Sequence, residues 1–112
     1  MKKPLVYLAT PYTHPDKEVQ QARFEAVNKA ASKLMLKGLK IFSPISHTHP
    51  IAAAGEMPTG WEFWRDFDFA YLSHCYKIIV LKLEGWEQSV GVTAEIAMAK
   101  ELGLEIEYME PE

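Results

Sequence analysis

Apolar positions along the chain fall into two rhythms. "PLVYLAT", from Pro4 to Thr10, is a compact apolar and β-branched run stopped by Pro11, which predicts a strand buried on both faces. A helical rhythm follows. Thr13 serves as cap, with Pro15 and Asp16 in the first turn, and Val19, Ala22, Ala26, Ala30 and Leu34 form an inward stripe to about Leu36. Gly38 then stops the helix, and "LKIFS" predicts a second short strand. Residues Pro44 to Gly60, rich in proline, glycine and histidine, read as a long functional loop or lid. "WEFWRDFDFAYLSHC" predicts a second helix, and "KIIVLKL" is the clearest strand. After a Glu84–Gly91 loop comes a helix from about Val92 to Leu102, stopped by Gly103, and then a weaker strand, "LEIEYM".

The order β-α-β-α-β-α-β predicts an α/β fold, a Rossmann-like three-layer α/β/α arrangement around a small parallel sheet of four to five strands. Such sheets bind ligands beyond the carboxyl ends of their strands, here Ala9–Tyr12, Ser43–His47 and Leu83–Gly91.

The chain has 112 residues, 48% of them hydrophobic, which suits one domain over residues 1–112. A net charge of −3 leaves no basic footprint for a nucleic-acid polymer, although backbone N–H groups can still hold a small anion. The single cysteine, Cys75, allows no intrachain disulfide and reads as a small buried hydrophobe. Pro11 and Pro15 interrupt the first apolar run too early for a signal peptide or membrane span, so a cytoplasmic location is expected.

Two carboxylates break the apolar stripes. Glu95 shares the inward face of the last helix with Val92, Ile96, Ala99 and Leu102, in what the pattern places as the first turn. Burial would raise its pKa and the helix dipole would lower it, a balance suited to a nucleophile or general base; a cap at the third helical position is the plainer alternative. Asp68 lies on the stripe Trp61, Trp64, Leu72, Cys75 and either takes an acid role paired with Glu95, or pairs with Arg65 or caps a neighbouring backbone group; Asp66 points to the surface.

Other positions say less. Ser89 to Gly91 ("SVG") either expose backbone N–H groups to an anion or simply make a turn. The histidines of "SHTHP" lack a third ligand at metal-binding spacing, so neither a metal nor a cofactor is expected; they read as solvated loop residues or, alternatively, as contacts to a planar ligand. Tyr7 is either a core residue with a satisfied hydroxyl or the residue that orients a carboxylate.

Three stretches resemble the nucleoside 2-deoxyribosyltransferase superfamily, which includes nucleoside 5'-monophosphate N-glycosidases. "YLATPY" from Tyr7 looks like its first-strand motif, "DFAYLSHCYKIIVL" from Asp68 like its aspartate-bearing helix and following strand, and "SVGVTAE" from Ser89 like its signature loop and nucleophilic glutamate. The resemblance implies Glu95 as nucleophile, Asp68 as its assistant and Tyr7 as the residue orienting Glu95. It further implies substrate contacts from Thr10, Pro11, Ser46, His47, Ser89 and Gly91, with Ser46 and His47 facing the base. Transferases of free nucleosides usually carry an aspartate six residues before the glutamate. Ser89 stands there in this chain, as in the monophosphate hydrolases. The implied activity is cleavage of a nucleoside 5'-monophosphate through a glycosyl-enzyme ester. A deoxyribosyltransferase and a non-catalytic nucleotide sensor are the alternatives. The small-molecule partner would be a nucleoside or nucleotide, and self-association into a dimer or larger is expected.

Overall fold

A computed structural model describes residues 3–58 and 60–111. Four strands, β1 (Leu5–Ala9), β2 (Lys40–Phe42), β3 (Cys75–Leu81) and β4 (Glu105–Met109), form one all-parallel sheet in the order β2-β1-β3-β4. β1 is central, flanked by β2 (Val6 opposite Ile41) and β3 (Tyr7 opposite Ile78). The chain leaves β1 toward β2 and later returns to its other side, so the point where strand order reverses lies between β1 and β3. Crevices form at such points in open α/β sheets.

Helices cover both faces. α1 (Lys17–Leu36) packs Val27, Ala30, Ala31 and Leu34 over Val6, Leu8, Ile79 and Leu81. On the opposite face, Leu72 of α3 (Trp61–Leu72) and Val92 and Ala99 of α4 (Val90–Glu101) pack against Tyr7, Ala9, Ile78 and Val80. Alternate residues of β1 therefore face different cores, which is why the strand reads as uniformly apolar. The expected three-layer α/β/α arrangement with a four-stranded parallel sheet is observed. Among the described residues no helix is long and apolar enough to cross a membrane.

Several boundaries differ from the sequence pattern. α1 is capped by Asp16, whose Oδ1 accepts from the Glu18 N–H at 2.9 Å, rather than by Thr13. Its buried stripe begins at Val27, and Ala22 is exposed.

The Pro44–Gly60 segment is mostly a helix, α2 (Pro44–Gly55), not a loop. Ser43 takes the cap position and Pro44 starts the helix, where a proline's missing N–H costs nothing. Pro50 sits inside it, a position that usually breaks a helix and that disguised this one.

α4 begins at Val90, two residues earlier than expected, with Ser89 as cap. Glu95 is therefore its sixth residue, in the second turn. The role of a capping carboxylate at the third helical position falls to no acid, because Val92 stands there.

Candidate active site

The carboxyl ends of β1 and β3 open into a cavity of about 670 Å³. The loop after β1 contributes Thr10, Tyr12 and Thr13. α2 contributes Ile45, Thr48, His49 and Ala52, the start of α3 gives Trp61, Phe63 and Trp64, and the start of α4 gives Ser89 and Gly91. The Trp64 indole N–H donates to the Pro58 carbonyl at 2.7 Å and ties the α2–α3 connection to that wall. Asp68 and Glu95 form the polar floor.

Glu95 reaches this floor because the apolar stripe of α4 turns its face toward the sheet. The side chain is 4% exposed, and its Oε2 accepts the Tyr7 hydroxyl. Burial pushes the Glu95 carboxyl up to about 8, the nearby Asp68 adds to the rise, and the Tyr7 hydrogen bond opposes it. Asp68 is 6% exposed, and burial alone raises it to about 7. It is not paired with Arg65, whose Nε lies 3.8 Å from the exposed Asp66. Tyr7 is fully buried, and its pKa is driven well above the usual phenol value by burial first and by the two acids next. Its hydroxyl remains a proton donor at any ordinary pH. Near neutrality the site thus holds two acids that both resist ionisation, with one fixed donor aimed at Glu95.

Ser89 has a double role. Its Oγ accepts the Val92 N–H at 3.2 Å and caps α4, while the residue also lines the cavity. The first intrahelical bond here runs from the Thr93 N–H to the Ser89 carbonyl, so the N–H groups of Val90 and Gly91 lie in the unsatisfied first turn, where anions are favoured. Gly91 also has a packing reason. A Cβ at that position would lie 3.2 Å from Cε3 of Trp61, so glycine lets the indole rest against the helix.

Of the residues expected to touch substrate, Thr10, Ser89 and Gly91 join Asp68 and Glu95 around the cavity, and Tyr7 stands behind Glu95. Thr10 Oγ1 is buried there with no hydrogen-bond partner among the described residues. Three residues are placed elsewhere. Pro11 is buried away from the cavity lining. Ser46 hydrogen-bonds Asn28 and, at 2.7 Å, Ser43. His47 lies against the Phe42 and Tyr71 rings. Helical geometry is the cause: in α2 the inward face carries Ile45, Thr48, His49 and Ala52, and Ser46 and His47 turn off it.

His49 is the functional candidate that sequence reasoning missed. It meets the Tyr12 hydroxyl through Nδ1 at 2.5 Å and Gln21 Oε1 through Nε2 at 3.1 Å, and it stacks on Phe24 with ring centroids 4.1 Å apart. Its spacing four after Ile45 and three before Ala52 would have signalled it, had α2 been recognised as a helix.

Residues 4–110 match the family model described as a domain of unknown function, DUF1937. The chain belongs to the DUF1937 family. A search of curated proteins finds no match to it. What this DUF1937 chain offers chemically is a half-enclosed, mostly apolar cavity with two buried acids at its base. Among its described residues no three His, Cys, Asp or Glu side chains converge as metal ligands do.

Proposed function

We propose that this protein hydrolyses the bond between base and sugar in a nucleoside 5'-monophosphate, as the resemblance to the nucleoside 2-deoxyribosyltransferase superfamily implies. The observation that carries the proposal is the buried Glu95, held at the cavity floor by the Tyr7 hydroxyl with Asp68 beside it. Burying a carboxylate in its ionised form costs roughly several kcal/mol, and the hydrogen bond from Tyr7 offsets this only in part. A nucleophile for an anomeric carbon gives the placement a function.

In the proposed reaction the ionised Glu95 attacks the anomeric carbon. The carbon–nitrogen bond breaks, its electron pair leaves with the base, and the Asp68 carboxyl supplies the proton the base needs. The result is a glycosyl ester on Glu95 and an ionised Asp68. Water then cleaves the ester and returns a proton to Asp68. The aromatic wall of Trp61, Phe63 and Trp64 suits a planar base, and the first turn of α4 with Ser89 suits a phosphate. Self-association remains part of the proposal, supported by the exposure of Phe63 and Phe67 on α3.

The test is incubation with a panel of nucleosides and their 5'-monophosphates, with chromatographic detection of free base. Release by the wild-type protein and none by a folded Glu95→Ala variant is expected. Mass spectrometry of a quenched reaction should find a sugar adduct on Glu95. Release that survives Glu95→Ala would defeat the assignment. Transfer of the sugar to an added second base would make the protein a transferase, and a rise in melting temperature without any release would make it a sensor.

A further inference from the structure

The hydrogen bonds behind Tyr12 run in one direction, and the direction can be read from the far end. Glu25, on the exposed side of α1, accepts from Gln21 Nε2 at 3.0 Å. A carboxylate has only acceptors, so the Gln21 amide turns its nitrogen toward Glu25 and its oxygen toward His49. That oxygen lies 3.1 Å from His49 Nε2 and can only accept, so Nε2 carries the imidazole proton. With one ring proton, placed on Nε2, Nδ1 is bare and accepts the Tyr12 hydroxyl proton across 2.5 Å. The phenolic proton is thereby committed away from the cavity that Tyr12 and His49 both line. Phe24, stacked on the imidazole, holds the plane of the ring.

We propose that Tyr12 is a specificity-determining residue that offers the ligand an acceptor only, and so selects a substrate presenting an N–H or O–H donor at that wall. The inference rests on the cavity being a nucleoside site, as proposed above. The shared chemistry is a neutral hydrogen-bond donor, either an exocyclic amine of the base or a pentose hydroxyl. A phosphate oxygen or a carbonyl finds no proton at Tyr12 and is turned toward the α4 end instead.

The chain of bonds makes the selectivity reversible by a surface substitution. In Gln21→Lys the ammonium can only donate, so Nε2 becomes the bare nitrogen, Nδ1 carries the proton, and Tyr12 turns its own proton into the cavity. Gln21→Glu keeps an acceptor at that point and preserves the original direction. Gln21 is exposed, so both variants fold.

The experiment measures binding by calorimetry in a Glu95→Gln background, which removes turnover. The probes are adenosine and cytidine, their N,N-dimethylated forms, and their 2'-deoxy and 3'-deoxy forms, all neutral. Deleting one of these donors should weaken binding by about three- to tenfold in the parent protein and in Gln21→Glu. The same deletion should cost nothing in Gln21→Lys or Tyr12→Phe. Sensitivity to the dimethylated forms assigns the donor to the base, and sensitivity to a deoxy form assigns it to the sugar. The proposal is overturned if every deletion is neutral in the parent, if no probe binds, or if the loss is equal in all four proteins. Absence of base release by the wild-type enzyme would defeat the proposed reaction without touching this outcome, which is read from binding alone.

Discussion

The Tyr7 hydroxyl donates to Glu95 Oε2 across 88 positions of sequence, joining the central strand of the sheet to α4. Of the influences on Glu95 it is the one that favours the ionised form. Tyr7→Phe keeps the ring in the core and removes this donor. The Glu95 pKa should then rise further, and base release at neutral pH should fall roughly tenfold or more, since hydrogen bonds to charged groups contribute about 1.5–3 kcal/mol. Comparing pH–rate profiles of the two proteins checks this: Asp68 is the more acidic of the two carboxyls, so the falling limb should move to higher pH in the variant while the maximum drops.

The proposed chemistry needs Glu95 ionised and Asp68 protonated. Their pKa values of about 8 and about 7 place a bell-shaped profile of kcat/KM around the interval between them. Asp68 is the more acidic of the two, so the reactive form, with Glu95 ionised and Asp68 protonated, is the minor of the two singly protonated states. The rising limb reports loss of the first proton from the pair, and the falling limb loss of the second. Asp68→Asn should flatten the alkaline limb and lower the maximum.

Stability should depend on pH through the same two acids. Their folded pKa values stand above the ordinary carboxyl range, so the folded state binds more protons than the unfolded state from about pH 4 upward. Their stabilising contribution is complete below the unfolded pKa and is lost as pH rises through about 7 to 8. Thermal melts at pH 5 and pH 8.5 should show the protein less stable at the higher pH, by an amount on the order of a few kcal/mol. Glu95→Gln, neutral at both, should remove much of the difference.

Much of this layout was legible in the sequence. Strand runs such as "KIIVLKL" and the two acids on apolar stripes needed only periodicity, because burial selects side chains at fixed spacing. α2 was hidden because Pro50 argues locally against a helix that tertiary packing nonetheless holds. Losing α2 also misplaced Ser46 and His47 and concealed His49, whose partners Tyr12 and Gln21 are 37 and 28 positions away. Glu95 was assigned to the right face but one turn early, because Gly91 reads as loop and masks the cap signal that Ser89 gives for a helix starting at Val90.

Ser89→Asp separates capping from charge. Aspartate caps a helix as well as serine does, so α4 should keep its stability. A carboxylate at the cap would repel a phosphate held by the first turn. Affinity for a 5'-monophosphate should fall at least tenfold, roughly the effect of one unfavourable charge contact, while the free nucleoside should change little. Titrations of both ligands against both proteins give the comparison, and equal losses would remove the phosphate from the proposal.

Gly91→Ala probes the contact between α4 and the aromatic wall. The added Cβ meets Trp61 at 3.2 Å and displaces the indole, while alanine improves helix propensity by up to about 1 kcal/mol. Melting temperature should therefore change little. Tryptophan fluorescence should shift, and ligand affinity should weaken by about three- to tenfold.

The two walls of the cavity differ in how firmly they are held. Tyr7 belongs to the innermost strand, hydrogen-bonded on both sides, so its amide should exchange with solvent only when the whole domain opens. Pro50 gives α2 no N–H for the carbonyl four residues back, so the ladder has a missing rung beside His49. Glu95 is thus fastened to the slowest-opening part of the protein, whereas His49, and through it the Tyr12 hydroxyl, depends on a helix with a gap in its ladder. Local opening of α2 should therefore leave the Tyr7–Glu95 hydrogen bond in place.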